Sequence, residues 1–152
     1  MGQQNHKDKM DKKLKNILFL CTGNSCRSQM AEGFANHLLS EKYNFFSAGT
    51  KKHGLNERAV QVMQKVGVDI SGHESNTTDE LDHINMDVVI TVCSDAHENC
   101  PYFKGEKIVH IGFDDPPRMT AEMSDESEII KVYESVRDEI KDVIQNLDKY
   151  IL

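Results

Sequence analysis

The chain has 152 residues, 38% of them hydrophobic, and 18 basic against 25 acidic side chains give it a formal net charge of -7. That length supports one hydrophobic core, and the acidic balance excludes general attraction to nucleic acid or to an anionic membrane surface. No apolar run approaches the roughly 18 residues a membrane span needs, and the N-terminus lacks the apolar stretch of a signal peptide, so a cytoplasmic protein is expected. In that compartment thiols stay reduced, and the four cysteines point to catalysis, metal binding or packing rather than to structural staples.

Residues 1–15 are polar and charge-rich without apolar periodicity and read as a loose arm; His6, where a myristoylation signal has Ser or Thr, argues against lipidation. Residues 16–152 read as a single domain. The run "NILFL" predicts a strand buried on both faces, since Ile17 to Leu20 is continuous rather than alternating. A helix follows, with Met30, Phe34 and Leu38 beside Ala31, Ala35 and Leu39, running to about Lys42. "YNFFSAG" predicts a second strand. "LNERAVQVMQKVG" predicts a second helix with Leu55, Ala59, Val62, Met63 and Val66 on one face and Gly67 as its stop. "TDELDHI" suggests a short helix, "MDVVITV" a third, buried strand and "KIVHIGF" a fourth. The last helix carries Ile129, Val132, Val136, Ile140, Val143 and Leu147 in register, with Asp125 three residues ahead of Glu128 as a capping signal.

Strands alternating with helices imply parallel βαβ units. The fold expected is α/β, a single-domain three-layer sandwich: a small four-stranded parallel sheet with helices on both faces. Such sheets bind ligands outside the carboxyl ends of their strands. Cys21, Cys93 and the loop after Phe113 each follow directly on a predicted strand, so three segments bring polar chemistry to one edge.

Between strand and helix stands "CTGNSCRS". Its small and polar residues, Thr22, Gly23, Asn24, Ser25 and Cys26, let the backbone curl so that successive N–H groups point inward, and the helix adds its positive N-terminal end. That is a cradle for an oxyanion. Arg27 supplies a planar charged fork for two oxygens of a tetrahedral anion. Gly23 is expected to permit the tight turn and Asn24 to brace the loop. The positive field favours thiolate at Cys21, the nucleophile, and Ser28 is placed to donate to its sulfur. Cys26 reads as a small packing residue that contributes its backbone N–H.

This loop, a cysteine, five residues, then Arg-Ser, resembles that of the low-molecular-weight protein tyrosine phosphatases, and the longer string "CTGNSCRSQMAEG" resembles the thioredoxin-coupled arsenate reductases that share their fold. The resemblance runs from about Asn16 to Lys149. A phosphatase needs one cysteine, because water hydrolyses its phosphocysteine; a reductase must deliver two electrons, which thiols supply by forming a disulfide. "VCSDAHENCP" places Cys93 after the third strand and Cys100 seven residues on. If residues 94–99 are helical when reduced, the two Cα atoms stand roughly 10 Å apart, beyond the ~7 Å a disulfide tolerates, so oxidation has to unwind the segment.

The resemblance implies that Cys21 attacks arsenate, that Cys93 attacks Cys21 in a transient disulfide and releases arsenite, and that Cys100 resolves it as Cys93–Cys100 for thioredoxin to reduce. In the loop "GFDDPP", shared in its Asp-Pro with both families, Pro116 holds Asp115 extended, and the resemblance gives it proton transfer to the departing oxygen; Asp114 reads as a solvated neighbour.

Phosphate and sulfate are the expected competing anions, and the chain is expected to act as a monomer with no tightly bound cofactor. Cys93, His97 and Cys100 do not have paired zinc-ligand spacing. Some reductases bind potassium through residues matching Asn24, Glu32 and Ser47, but this chain carries Glu74 and Asn76 where they have a threonine and an aspartate, which argues against it; "PYFKGEK" also lacks their proline pair. His53, His73, His83 and His110 read as surface or hydrogen-bonded core residues. The rival readings are a phosphatase on the same fold and a non-catalytic metalloid or redox sensor.

Overall fold

The computed structural model describes residues 14–93 and 103–152. Four strands, β1 (Lys15–Leu20), β2 (Tyr43–Ala48), β3 (Met86–Thr91) and β4 (Gly105–His110), form one parallel sheet in the order β2-β1-β3-β4. The helices are α1 (Arg27–Leu39), α2 (Glu57–Gln64), α3 (Pro116–Met119), α4 (Glu126–Gln145) and α5 (Asp148–Ile151), with a 3-10 turn at Thr78–Leu81. The expected α/β sandwich with its four-stranded parallel sheet is therefore the observed one. Among the described residues no helix is long and apolar enough to cross a membrane.

Alternation along the strands divides the core. Ile17, Phe19, Phe45, Val88 and Ile90 face α1, α2 and α4, packing on Met30, Phe34, Val62, Met63, Tyr133, Val136 and Ile140. Each such side chain, fully buried, contributes about 1.5–3 kcal/mol. Leu18, Leu20, Phe46, Ala48 and Val89 face the other way, onto Leu81, Ile84, Met86 and Phe103. Phe19 and Phe45 stack with ring centroids 5.9 Å apart across the paired strands.

Several boundaries differ from the sequence reading. Lys15, assigned to the arm, is the first residue of β1. α1 stops at Leu39 rather than near Lys42, because the chain must turn into β2. α2 begins only at Glu57, since Asn56 caps it by accepting the Ala59 N–H at 3.0 Å, leaving Leu55 in the approach. The fourth strand lies earlier than "KIVHIGF" and is mostly exposed, as an edge strand with a single neighbour. "TDEL" closes as a 3-10 turn with a capping box between Thr77 and Glu80. At α4, Asp125 accepts the N–H of Ser127, and the seam includes Ile130, Tyr133 and Ile144 while Val132 and Val143 are half-buried.

The strand order places the site. From β1 the chain crosses to β2 on one side and later returns to β3 on the other, so the switch point lies between β1 and β3. Cys21 follows β1 and Cys93 follows β3, and the two strands pair through Leu20 and Thr91.

Candidate active site

The loop from Cys21 to Ser28 is held from outside through its carbonyls. Thr22 O accepts from Thr50 N at 2.9 Å, Gly23 O from His53 N at 3.1 Å, Asn24 O from Ser75 Oγ at 2.6 Å and Ser25 O from Asn56 N at 3.0 Å. In a planar trans peptide the following N–H points opposite to the carbonyl. The N–H groups of Gly23, Asn24, Ser25 and Cys26 therefore face the concave side, where among the described residues none finds an acceptor. With the N-terminus of α1 behind them, these donors form a site for an anion.

The tight backbone geometry falls on Asn24, not on Gly23. Asn24 has φ 48°, the one non-glycine residue with positive φ among those described, and asparagine tolerates that region through its short side chain. At Gly23 a Cβ would meet the exposed His53 ring, which would have to swing aside.

Cys21 is buried, and its Sγ lies 2.9 Å from Ser28 Oγ. Arg27 is buried too, its Nη1 donating to Phe113 O at 3.2 Å and Val92 O at 3.4 Å, with Nε 3.7 Å from Asp115 Oδ1. One guanidinium thus touches the segments after β3 and β4 while rooted in the cradle. Asp115 is a quarter exposed, extended at φ -91° and ψ 104° ahead of Pro116, and faces Arg27, whereas Asp114 is exposed. Cys26, beneath the loop, has its thiol pushed well above the usual range, first by burial and then by the neighbouring Cys21 and Asp115, against the opposing Arg27. It stays a protonated thiol.

Cys93 is wholly buried in the same core cluster as Cys21 and is engaged in a disulfide, while Cys21 and Cys26 carry free thiols. Cys100, with His97 and the rest of 94–102, lies outside the described residues.

The oxygens that the resemblance suggests for potassium are engaged within the protein. Asn24 Oδ1 already accepts from Asn76 N at 2.6 Å and Gln29 Nε2 at 3.2 Å, Ser47 O accepts from Asn76 Nδ2 at 3.2 Å, and Glu32 Oε1 accepts from Ser47 Oγ at 2.6 Å. Among the described residues no three His, Cys, Asp or Glu side chains converge as metal ligands.

Sequence reasoning missed the outer brace: Gln29, His53, Asn56, Ser75 and the carbonyls of Val92 and Phe113. One local signal existed for Gln29, a long polar residue among the apolar positions of α1.

The family model of the low molecular weight phosphotyrosine protein phosphatases matches residues 16–151. An arsenate reductase of Staphylococcus aureus (strain Newman) is 45% identical over 133 residues, covering 87% of this chain and 95% of the relative. Arsenate reductase 1 of Staphylococcus epidermidis is 48% identical over 132 residues, covering 86% and 93%. Among solved structures, an arsenate reductase in the phosphate binding state superposes with a TM-score of 0.73 at 32% identity, covering 90% of this chain and 99% of that one. A low molecular weight protein tyrosine phosphatase from T. tengcongensis gives a TM-score of 0.65 at 25% identity, covering 89% and 98%.

Proposed function

Because the chain belongs to the low molecular weight phosphotyrosine protein phosphatase family, with arsenate reductases among its relatives, we propose that it reduces arsenate to arsenite through three cysteines and is regenerated by thioredoxin. The observation that carries this reading is the second thiol position: Cys93, buried beside the cradle and already in a disulfide, with Cys21 free. A phosphatase has no use for that cysteine. The similarity to an arsenate reductase in a phosphate-binding state supports a cradle for tetrahedral oxyanions, phosphate as well as arsenate.

The chemistry runs as follows. Arsenate sits on the loop N–H groups and the Arg27 fork, and Cys21 thiolate attacks arsenic, displacing an oxygen that leaves as water with a proton from Asp115. Cys93 then attacks Cys21 Sγ; the sulfur–arsenic bond breaks with its electron pair going to arsenic, which departs as arsenite. Cys100 attacks Cys93, freeing Cys21 and leaving Cys93–Cys100. A thioredoxin dithiol reduces that disulfide and restores two thiols. The enzyme works as a cytoplasmic, single-domain monomer with no resident cofactor.

The phosphatase reading is favoured by the family match and by a cradle, nucleophile and acid that would suffice for it. Arsenate-dependent NADPH consumption with thioredoxin and its reductase separates the two. Turnover is expected in the wild type and is lost in Cys93→Ser and Cys100→Ser, both of which keep any hydrolysis of an aryl phosphate; Cys21→Ser loses both activities. Turnover that is absent in the wild type, or survives either resolving-cysteine substitution, overturns the proposal. A sensor would instead bind arsenite stoichiometrically without turnover.

A further inference from the structure

Gln29 is fully buried on α1. Its Nε2 is surrounded by three oxygens: Glu74 O at 3.0 Å, Asn24 O at 3.1 Å and Asn24 Oδ1 at 3.2 Å. Two of these are backbone carbonyls, which can only accept, so the amide orientation is settled: nitrogen toward Asn24, oxygen toward His73. Gln29 Oε1 lies 2.9 Å from His73 Nδ1. An amide oxygen cannot donate, so His73 must carry its hydrogen on Nδ1.

The same logic continues inward. Asn24 Oδ1 accepts the backbone N–H of Asn76 at 2.6 Å as well as Gln29, so Asn24 Nδ2 is the group facing Ser28 Oγ, at 2.8 Å. Ser28 Oγ therefore accepts from Asn24. Its single hydrogen has one acceptor within reach among the described residues, Cys21 Sγ at 2.9 Å. Were the sulfur the donor, a buried hydroxyl hydrogen would be left without a partner, which is costly.

We propose that Gln29 is a positioning residue for Cys21: by clamping both oxygens of Asn24 it sets the direction of the hydrogen bonds from His73 through Gln29, Asn24 and Ser28, so that the last of them is donated to the sulfur. It also holds Asn24 in its left-handed backbone conformation, in company with Ser75. This inference rests on Cys21 as the nucleophile of the proposed reaction and adds residues that lie outside the loop motif. The last bond holds the sulfur in a fixed direction at the base of the cradle, so loss of the chain slows attack by Cys21.

The test uses alkylation of Cys21 by iodoacetamide, followed peptide by peptide by mass spectrometry at fixed pH in the full-length reduced protein. It needs no arsenate, so failure of the reductase reading and failure of this inference are distinguishable. Ser28→Ala is expected to slow alkylation roughly tenfold, as for loss of a hydrogen bond to a charged group. Gln29→Met, which keeps length but removes the amide, slows it severalfold when Ser28 is present and not at all in the Ser28→Ala background, because the two act on one path. An unchanged rate in Gln29→Met, or equal slowing in both backgrounds, overturns the proposal, the second result marking a general structural role. Independently of folding in any variant, nitrogen-15 NMR of the wild type at pH 8 should find His73 as the Nδ1–H tautomer; an Nε2–H tautomer also overturns it.

Discussion

The loops after β1 and β4 reach the same edge of the sheet but are held differently. In Cys21–Ser28, every carbonyl from Thr22 to Ser25 is bonded to a surrounding segment, and Asn24, Ser28 and Gln29 are completely buried. After β4, the carboxylate of Asp115 is a quarter exposed and pairs with the guanidinium of Arg27, its Oδ1 3.7 Å from Nε. The proposed nucleophile stands in a loop held on every side, whereas the proposed proton donor is partly open to solvent. Covalent attack demands alignment to fractions of an ångström, while proton transfer can be completed as the ligand settles.

The comparison can be broken most strongly at Arg27, which joins the two loops. Arg27→Lys keeps the charge but removes the fork and the contacts to Phe113 O and Val92 O, and kcat/KM should fall on the order of 100-fold or more, measured by steady-state turnover. Next comes the proposed acid: Asp115→Asn should lower kcat about 100-fold, with KM little changed, while Asp114→Asn stays near wild type. Equal effects at the two aspartates would remove the distinction drawn from their exposure.

A third prediction concerns stability of the cradle. A Cβ on Gly49 would lie 2.6 Å from Thr22 O, 2.7 Å from Cys21 O and 2.8 Å from Asn24 N, all backbone atoms that cannot yield. Gly49→Ala should destabilise the fold by about 1–3 kcal/mol in urea titration, whereas Gly72→Ala, with nothing within 4 Å of its Cβ, should stay within about 0.5 kcal/mol.

The smallest effect lies outside both loops. Arg58 holds Glu126, Lys65 holds Glu134 and Lys42 holds Asp148 below the usual carboxylate range, in each case first through a hydrogen bond. Folded values below unfolded ones mean stability fully present above about pH 4.5 and lost as pH falls through the folded values. Melting temperature should therefore decline gently below about pH 4.5 and stay flat from there to neutrality with respect to these groups. Tyr43 works in the opposite range: burial and then Asp148 push its phenol up to about 12, so its contribution is complete below about pH 10 and fades from there toward pH 12.

Much of the fold could be read directly from the chain. The unbroken run Ile17–Leu20, the periodicity of α1 and α4 and the stop after α2 report local physics: alternation, helical repeat and turn chemistry within a dozen residues. The cradle was legible for the same reason, since a cysteine, five small or polar residues and Arg-Ser between strand and helix already specify its donors. Edge exposure of β4 was not, because a strand's neighbours are unknown until the sheet order is. Nor was the burden on Asn24 rather than Gly23, since either residue accepts positive φ and only the segments closing on the loop select one.

What the sequence by itself determined is the α/β alternation and the loop between β1 and α1, with the cysteine proposed as its nucleophile, all written in short-range spacing. What only the tertiary structure decided is how that loop is held and which way its hydrogen bonds run. Glu74, Ser75 and Asn76 meet Gln29 and Asn24 across 45, 51 and 52 residues of chain. The direction of a hydrogen bond depends on what else each group faces, and those partners arrive only when the segment after α2 packs against α1.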